Sequence, residues 1–116
     1  MSRPQVVVYP APGLLAAATA ARLVTKLVDA QAARGHASVV LTGGRTGTMV
    51  LEQLRAAPAR DAIDWGRIDF YWGDERFLPS GHGDRNETQA RAALLDHVPV
   101  SPERVHAMEP SDGRFG

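Results

Sequence analysis

The sequence predicts an α/β fold: a parallel, doubly wound sheet with helices on both faces. Three observations carry that reading. Short β-branched runs alternate along the chain with stretches of helical period, the order produced when helices connect parallel strands. The run "SVVLT" (38–42) is apolar without alternation, as in a strand covered on both faces. It leads into "TGGRTGT" (42–48), a turn with more glycine and hydroxyl residues than a plain connection needs.

The elements follow in order. A first strand is expected at "QVVVY" (5–9), ended by Pro10 and Pro12. From Leu14 to about Arg34 the pattern is helical. Ala20, Leu23, Val24, Leu27 and Val28 recur at helical spacing as one buried stripe, and Gly35 stops the helix. After the strand at 38–42, a second helix should run from about Thr46 to Ala57, with Gly47, Val50, Leu51 and Leu54 on one face and Pro58 as its stop. "RIDFYWG" (67–73) reads as the next strand. The polar loop "DERFLPSGHGDR" (74–85) follows it. Asn86 then caps a helix to about His97, with Gln89 as its reciprocal partner. "VHAM" (105–108) reads as a short last strand, and "EPSDGRFG" carries no clear element. No repeat or linker divides the 116 residues, so we expect one α/β domain, truncated relative to a complete doubly wound sheet.

Composition excludes several function classes. Lys plus Arg total 13 and Asp plus Glu total 13, so no overall basic field exists for nucleic acid. The absence of cysteine removes disulfides and thiolate chemistry. No apolar run approaches the roughly 20 residues that span a bilayer. A cytoplasmic protein is expected, with a small-molecule partner rather than a membrane or a nucleic acid.

Two stretches can do chemistry. In "TGGRTGT", Gly43 and Gly44 let backbone amides approach an anion, and the helix start favours negative charge. Thr46 can cap that helix, and Arg45 adds a guanidinium. The loop lacks the Gly-Lys-Ser/Thr ending of a Walker motif and does not match G-x-G-x-x-G; its bland alternative is a tight turn. In "WGDERFLP" (72–79), the carboxylates of Asp74 and Glu75 can orient a sugar hydroxyl or move a proton. Arg76 can grip a phosphate through two parallel hydrogen bonds. A solvated loop with a local ion pair is the alternative there. Parallel crossovers place both turns on one sheet edge, where open α/β sheets bind ligands. His82, Asp84 and Glu87 fit no compact metal spacing, and no metal is expected. His36, His97 and His106 read as structural, and Trp65 and Trp72 as core.

Four stretches in order, "LTGGRT", "IDWGRIDFYWGDERFLP", "DRNETQARAALLDHVP" and "RVHAM", resemble the 6-phosphogluconolactonases from Val6 to Met108. The tryptophan-rich strand feeding Gly-Asp-Glu-Arg is the most specific part. The resemblance implies hydrolysis of 6-phosphogluconolactone in the oxidative pentose phosphate pathway, without metal or organic cofactor. It places Gly43, Gly44 and Thr46 at the substrate cleft, Arg76 at the phosphate, Asp74 at the ring or the catalytic water, and Asn86 as a shaper of the pocket. Arg45 stands where many relatives carry serine, either as a second phosphate grip or as an outward-facing charge. The family chain is longer, and its second half carries a Gly-Asp-Gly-His-type segment whose histidine has the role of water-activating base. Nothing here matches that segment, so the isolated chain is expected to be weakly active or inactive. A sugar-phosphate isomerase or deaminase, and a non-catalytic sugar-phosphate-binding fragment, stay open as alternatives.

Overall fold

The computed structural model describes residues 12–113. The strand expected at 5–9 lies outside the described residues. Helix α1 (Pro12–Arg34) opens on a proline, whose missing N–H costs nothing in a first turn. It closes at Gly35, which takes φ of 79° and donates its N–H to the Gln31 carbonyl at 2.8 Å. There follow β1 (Ala37–Leu41), α2 (Gly44–Ala56), β2 (Ile68–Trp72), α3 (Asn86–Ala93) and β3 (Val105–His106).

The sheet order is β1-β2-β3, and both pairs are parallel. The α/β architecture with a parallel sheet is therefore as the sequence predicts. Ala37 pairs with Ile68 and Leu41 with Trp72, so β1 and β2 end level with each other. Gly73 then donates to the Leu41 carbonyl at 3.1 Å and prolongs the match by one residue. That register brings the two glycine-bearing turns side by side.

Burial alternates along both strands. Ile68, Phe70 and Trp72 lie at 5% exposure or below and join Leu27 of α1 and Leu54 of α2 in one apolar cluster. Each such large side chain contributes about 1.5–3 kcal/mol by leaving water. The opposite face is open among the described residues, with Val40 63% exposed and Tyr71 42%. The cover expected on both sides of β1 is thus met on one side. An apolar strand sequence permits burial on both faces but does not supply the second layer.

Two boundaries differ from the sequence reading. The helix expected to reach His97 ends at Ala93 and continues as a 3-10 turn, Leu95–His97. Leu94 leaves helical geometry at φ −144° and ψ −55°, and Leu94 and Leu95 both enter the core, at 1% and 3% exposure. The last strand covers 105–106 rather than 105–108. Both tryptophans are core, as expected, with Trp65 donating its indole N–H to the Arg60 carbonyl at 3.1 Å. Among the described residues no helix is long and apolar enough to cross a membrane.

Candidate functional site

Thr42, Gly43 and Gly44 after β1 meet Gly73, Asp74 and Arg76 after β2, and Asn86 at the start of α3 completes the ring around a hollow of about 530 Å³. Three separate turns therefore build one site at the carboxyl end of the sheet. A larger groove, about 630 Å³, runs along α1 beside Ser38 and Val40; it follows the open side of β1, and its charged residues, Lys26, Asp29 and Arg34, all come from that one helix.

The glycines have distinct reasons. Gly44 adopts φ of 87°, a conformation that other residues reach only with strain. At Gly43 a Cβ would land on the Asn86 carboxamide, so the missing side chain is what lets Asn86 reach the hollow. At Gly47 a Cβ would sit 2.6 Å from the Thr42 carbonyl oxygen, so this glycine lets α2 pack against its own entry strand.

Helix α2 starts at Gly44, with Gly43 as its N-cap and no side chain bonded to the cap. Its first amides thus have no intrahelical acceptor and carry the positive end of the helix dipole. Thr46 corrects an expectation. It stands inside the first turn, exposed and away from the lining of the hollow, and does not cap. The sequence pattern suggested a threonine cap, but glycine at φ of 87° starts the helix two residues earlier. Thr48 donates its hydroxyl to the Gly44 carbonyl at 2.9 Å. Arg45 is exposed and faces a neighbouring depression with Thr48, Met49, Glu52 and Gln89.

Asp74 and Arg76 are both exposed at the rim. The Asn86 carboxamide donates to the Asp74 carbonyl at 3.1 Å and to its carboxylate at 3.4 Å, which fixes Asp74 relative to the glycine turn. The Arg76 guanidinium makes no ion pair among the described residues. It is a cation held ready at the edge of a hollow.

Glu75 is the second correction. Its side chain is 4% exposed and points away from the hollow. The carboxylate accepts the backbone N–H of Asn86 at 2.5 Å and of Glu87 at 2.8 Å, so it caps α3 from a distance. Asn86, expected to cap that helix, instead lies at its first position, and Arg85 holds the N-cap without a side-chain bond. Alternation along the loop explains the outcome: Asp74 and Arg76 face out, and the residue between them faces in.

Arg85 escaped the sequence reading. It is fully buried, 2.9 Å from Glu87 and 3.8 Å from Glu75. A buried arginine in a charged loop has no periodicity to announce it. Glu87 also accepts from Arg91 at 2.8 Å. Burial opposes the Glu87 charge, but the bonds from Arg91 and Arg85 outweigh it and hold the carboxyl below the usual glutamate range. Glu87 is committed to these arginines, His82 accepts the Asp84 N–H at 3.0 Å, and among the described residues no three such side chains gather as metal ligands.

None of the four histidines lines the hollow. His36 lies by the Arg34 carbonyl, and His97 by Arg55. His106 stacks on Tyr71 with ring centroids 4.5 Å apart and bonds Asp69 at 3.0 Å. That bond, helped by Arg104, holds the Asp69 carboxyl below its ordinary range.

Comparison with known proteins adds a family. The family described as Glucosamine-6-phosphate isomerases/6-phosphogluconolactonase matches residues 10–114. A 6-phosphogluconolactonase of Streptomyces coelicolor is 64% identical over 113 residues, covering 97% of this chain and 43% of that protein. One from Mycobacterium tuberculosis is 44% identical over 109 residues, 94% of this chain and 43% of that protein. The solved structure of a 6-phosphogluconolactonase from Trypanosoma brucei superposes with a TM-score of 0.68 at 26% identity, covering 95% of this chain and 44% of that one. The chain thus spans less than half the length of these relatives.

Proposed function

This chain belongs to the family of glucosamine-6-phosphate isomerases and 6-phosphogluconolactonases, and on that premise we propose that it forms the phosphate-holding part of a 6-phosphogluconolactonase. In this reading the 116 residues are one α/β domain, the N-terminal part of a longer sugar-phosphate enzyme. The reaction is attack of water on the lactone carbonyl, followed by opening of the ring to 6-phosphogluconate. The observation that carries the proposal is the shared hollow, in which the Gly43–Gly44 turn faces Asp74, Arg76 and Asn86.

Each group then has a task. Arg76 meets the phosphate with two donors, and the open amides at the start of α2 add a second source of positive potential. Binding energy from this remote phosphate positions the carbonyl for attack. Asp74, steered by the Asn86 carboxamide, orients a ring hydroxyl or the attacking water. Arg45 sits one depression away, where it adds positive potential without touching the ligand. The names of the relatives favour a lactonase over the isomerases of the same family. An isomerase would exchange carbon-bound hydrogen of its substrate with deuterated water, and a lactonase would not.

Calorimetric titration with 6-phosphogluconate tests the site. Arg76→Ala is expected to weaken binding by about 1.5–3 kcal/mol, as for other hydrogen bonds to charged groups. Equal affinities of wild type and variant would remove Arg76 from the phosphate and the proposal with it.

A further inference from the structure

We infer that Glu75 and Arg85, buried beneath the rim, are a positioning pair that presents Asp74, Arg76 and Asn86 to the ligand. The inference rests on the phosphate-holding reading of the hollow. Neither residue lines that hollow, so neither is a catalytic residue.

The geometry is specific. Glu75 stands between the two exposed rim residues and spends its carboxylate on backbone. Besides the amides of Asn86 and Glu87, it accepts the N–H of Arg76 at 2.9 Å. One side chain thereby fixes the backbone on both sides of the ligand-facing groups, Arg76 before the loop and Asn86 after it. Arg85 works from the other end. Its terminal nitrogens donate to the Met108 carbonyl at 2.9 Å and reach the carbonyls of Arg76 at 3.4 Å and Leu78 at 3.5 Å. Its Nε is buried and has no partner among the described residues, so the guanidinium is held through its terminal nitrogens. Leu78 in turn accepts the Ser111 N–H at 2.9 Å, and Asp112 accepts the Ser80 N–H at 2.9 Å. The rim loop is therefore tied to the segment after β3 by this buried guanidinium and by two direct hydrogen bonds.

The consequence is preorganisation. A phosphate grip on an exposed loop loses affinity when the loop must be ordered at each binding event. Two buried groups of opposite charge, 3.8 Å apart and each hydrogen-bonded to the loop backbone, remove that ordering step. Displacing a contact by about 1 Å in such a site is enough to lower activity about 100-fold.

The test is a double-mutant cycle read by affinity for 6-phosphogluconate, with a second readout that needs no ligand. Glu75→Gln keeps the shape but sets an amide N–H against the backbone N–H groups. It is expected to weaken binding about 10- to 100-fold in folded protein. Combined with Arg76→Ala it should add less than its own separate loss, because part of its effect passes through the Arg76 guanidinium and the rest through Asn86. In the unliganded protein, amide exchange at Leu78 and Ser111 should rise about tenfold in Glu75→Gln and in Arg85→Lys, although neither amide bonds to the substituted side chain.

Wild-type affinity in a folded Glu75→Gln, or losses that add fully, would overturn the inference. Unchanged exchange at Leu78 and Ser111 would do the same. Glu75→Asp serves the same comparison if Glu75→Gln does not fold; failure of both to fold would also overturn it, since the pair would then hold the fold rather than the loop. If instead the wild type binds no 6-phosphogluconate, or Arg76→Ala binds it equally well, the reading of the hollow fails while the exchange measurement still decides the anchor.

Discussion

At Gly43 the fold leaves no space for a side chain, because the Asn86 carboxamide occupies it. Gly43→Ala should therefore destabilise by about 1–3 kcal/mol, the usual cost of forcing an extra methyl into a packed place. Urea unfolding of Gly43→Ala and of Gly43→Ala/Asn86→Ala checks the cause: removing the carboxamide should restore stability without restoring ligand affinity. Arg76→Ala should behave in the opposite way. Its side chain is exposed and makes no ion pair among the described residues, so stability should stay within about 0.5 kcal/mol while affinity falls. A stability loss as large as that of Gly43→Ala would show that Arg76 is structural. That Gly43, Gly44, Asp74 and Arg76 share one hollow was legible in the sequence, because both turns follow strands expected to be parallel. Glu75 reads in the sequence as a ligand-facing candidate, whereas its side chain is 4% exposed and faces inward. Composition cannot tell which of three consecutive charged residues turns to the core.

The element that governs the site is α3. Its start is held by Glu75, and its first turn carries Glu87 between Arg85 and Arg91. Because the Glu87 carboxyl is held below its ordinary range, the folded state favours its charge. The stability it contributes is complete above the unfolded glutamate value, about 4.3, and is lost as pH falls through the lower folded value. Urea midpoints of wild type and Glu87→Gln should therefore differ near neutral pH and converge in acid. A gap that stays constant down to pH about 2 would contradict the ion-pair account. At the far end of the same helix, Leu94→Ala removes a side chain that is 1% exposed and should cost about 2–5 kcal/mol. The sequence showed that this helix exists but placed its end wrongly. The break at Leu94 comes without a glycine or proline to mark it, so a periodicity count runs through it.

At the scale of the molecule, parallel register is the cause of the site. Leu41 opposite Trp72 brings two turns that are far apart in sequence to one edge, and Asn86 closes the ring between them. The strand-and-helix order that implies this convergence could be read directly from the residues. The open side of the sheet could not, because Val40 belongs to an apolar run expected to be covered on both faces yet is 63% exposed. No histidine lines the hollow, so the isolated 116 residues should turn over the lactone about 10²- to 10⁴-fold more slowly than the full-length Streptomyces coelicolor relative, the usual contribution of a positioned base. A coupled assay of lactone loss checks this. The most direct test of the central claim is an amide chemical-shift map recorded during titration with 6-phosphogluconate. Shifts are expected together at Gly43, Gly44, Asp74, Arg76 and Asn86, saturating with a single affinity. Perturbation of one turn while the other stays unmoved at saturation would contradict the account.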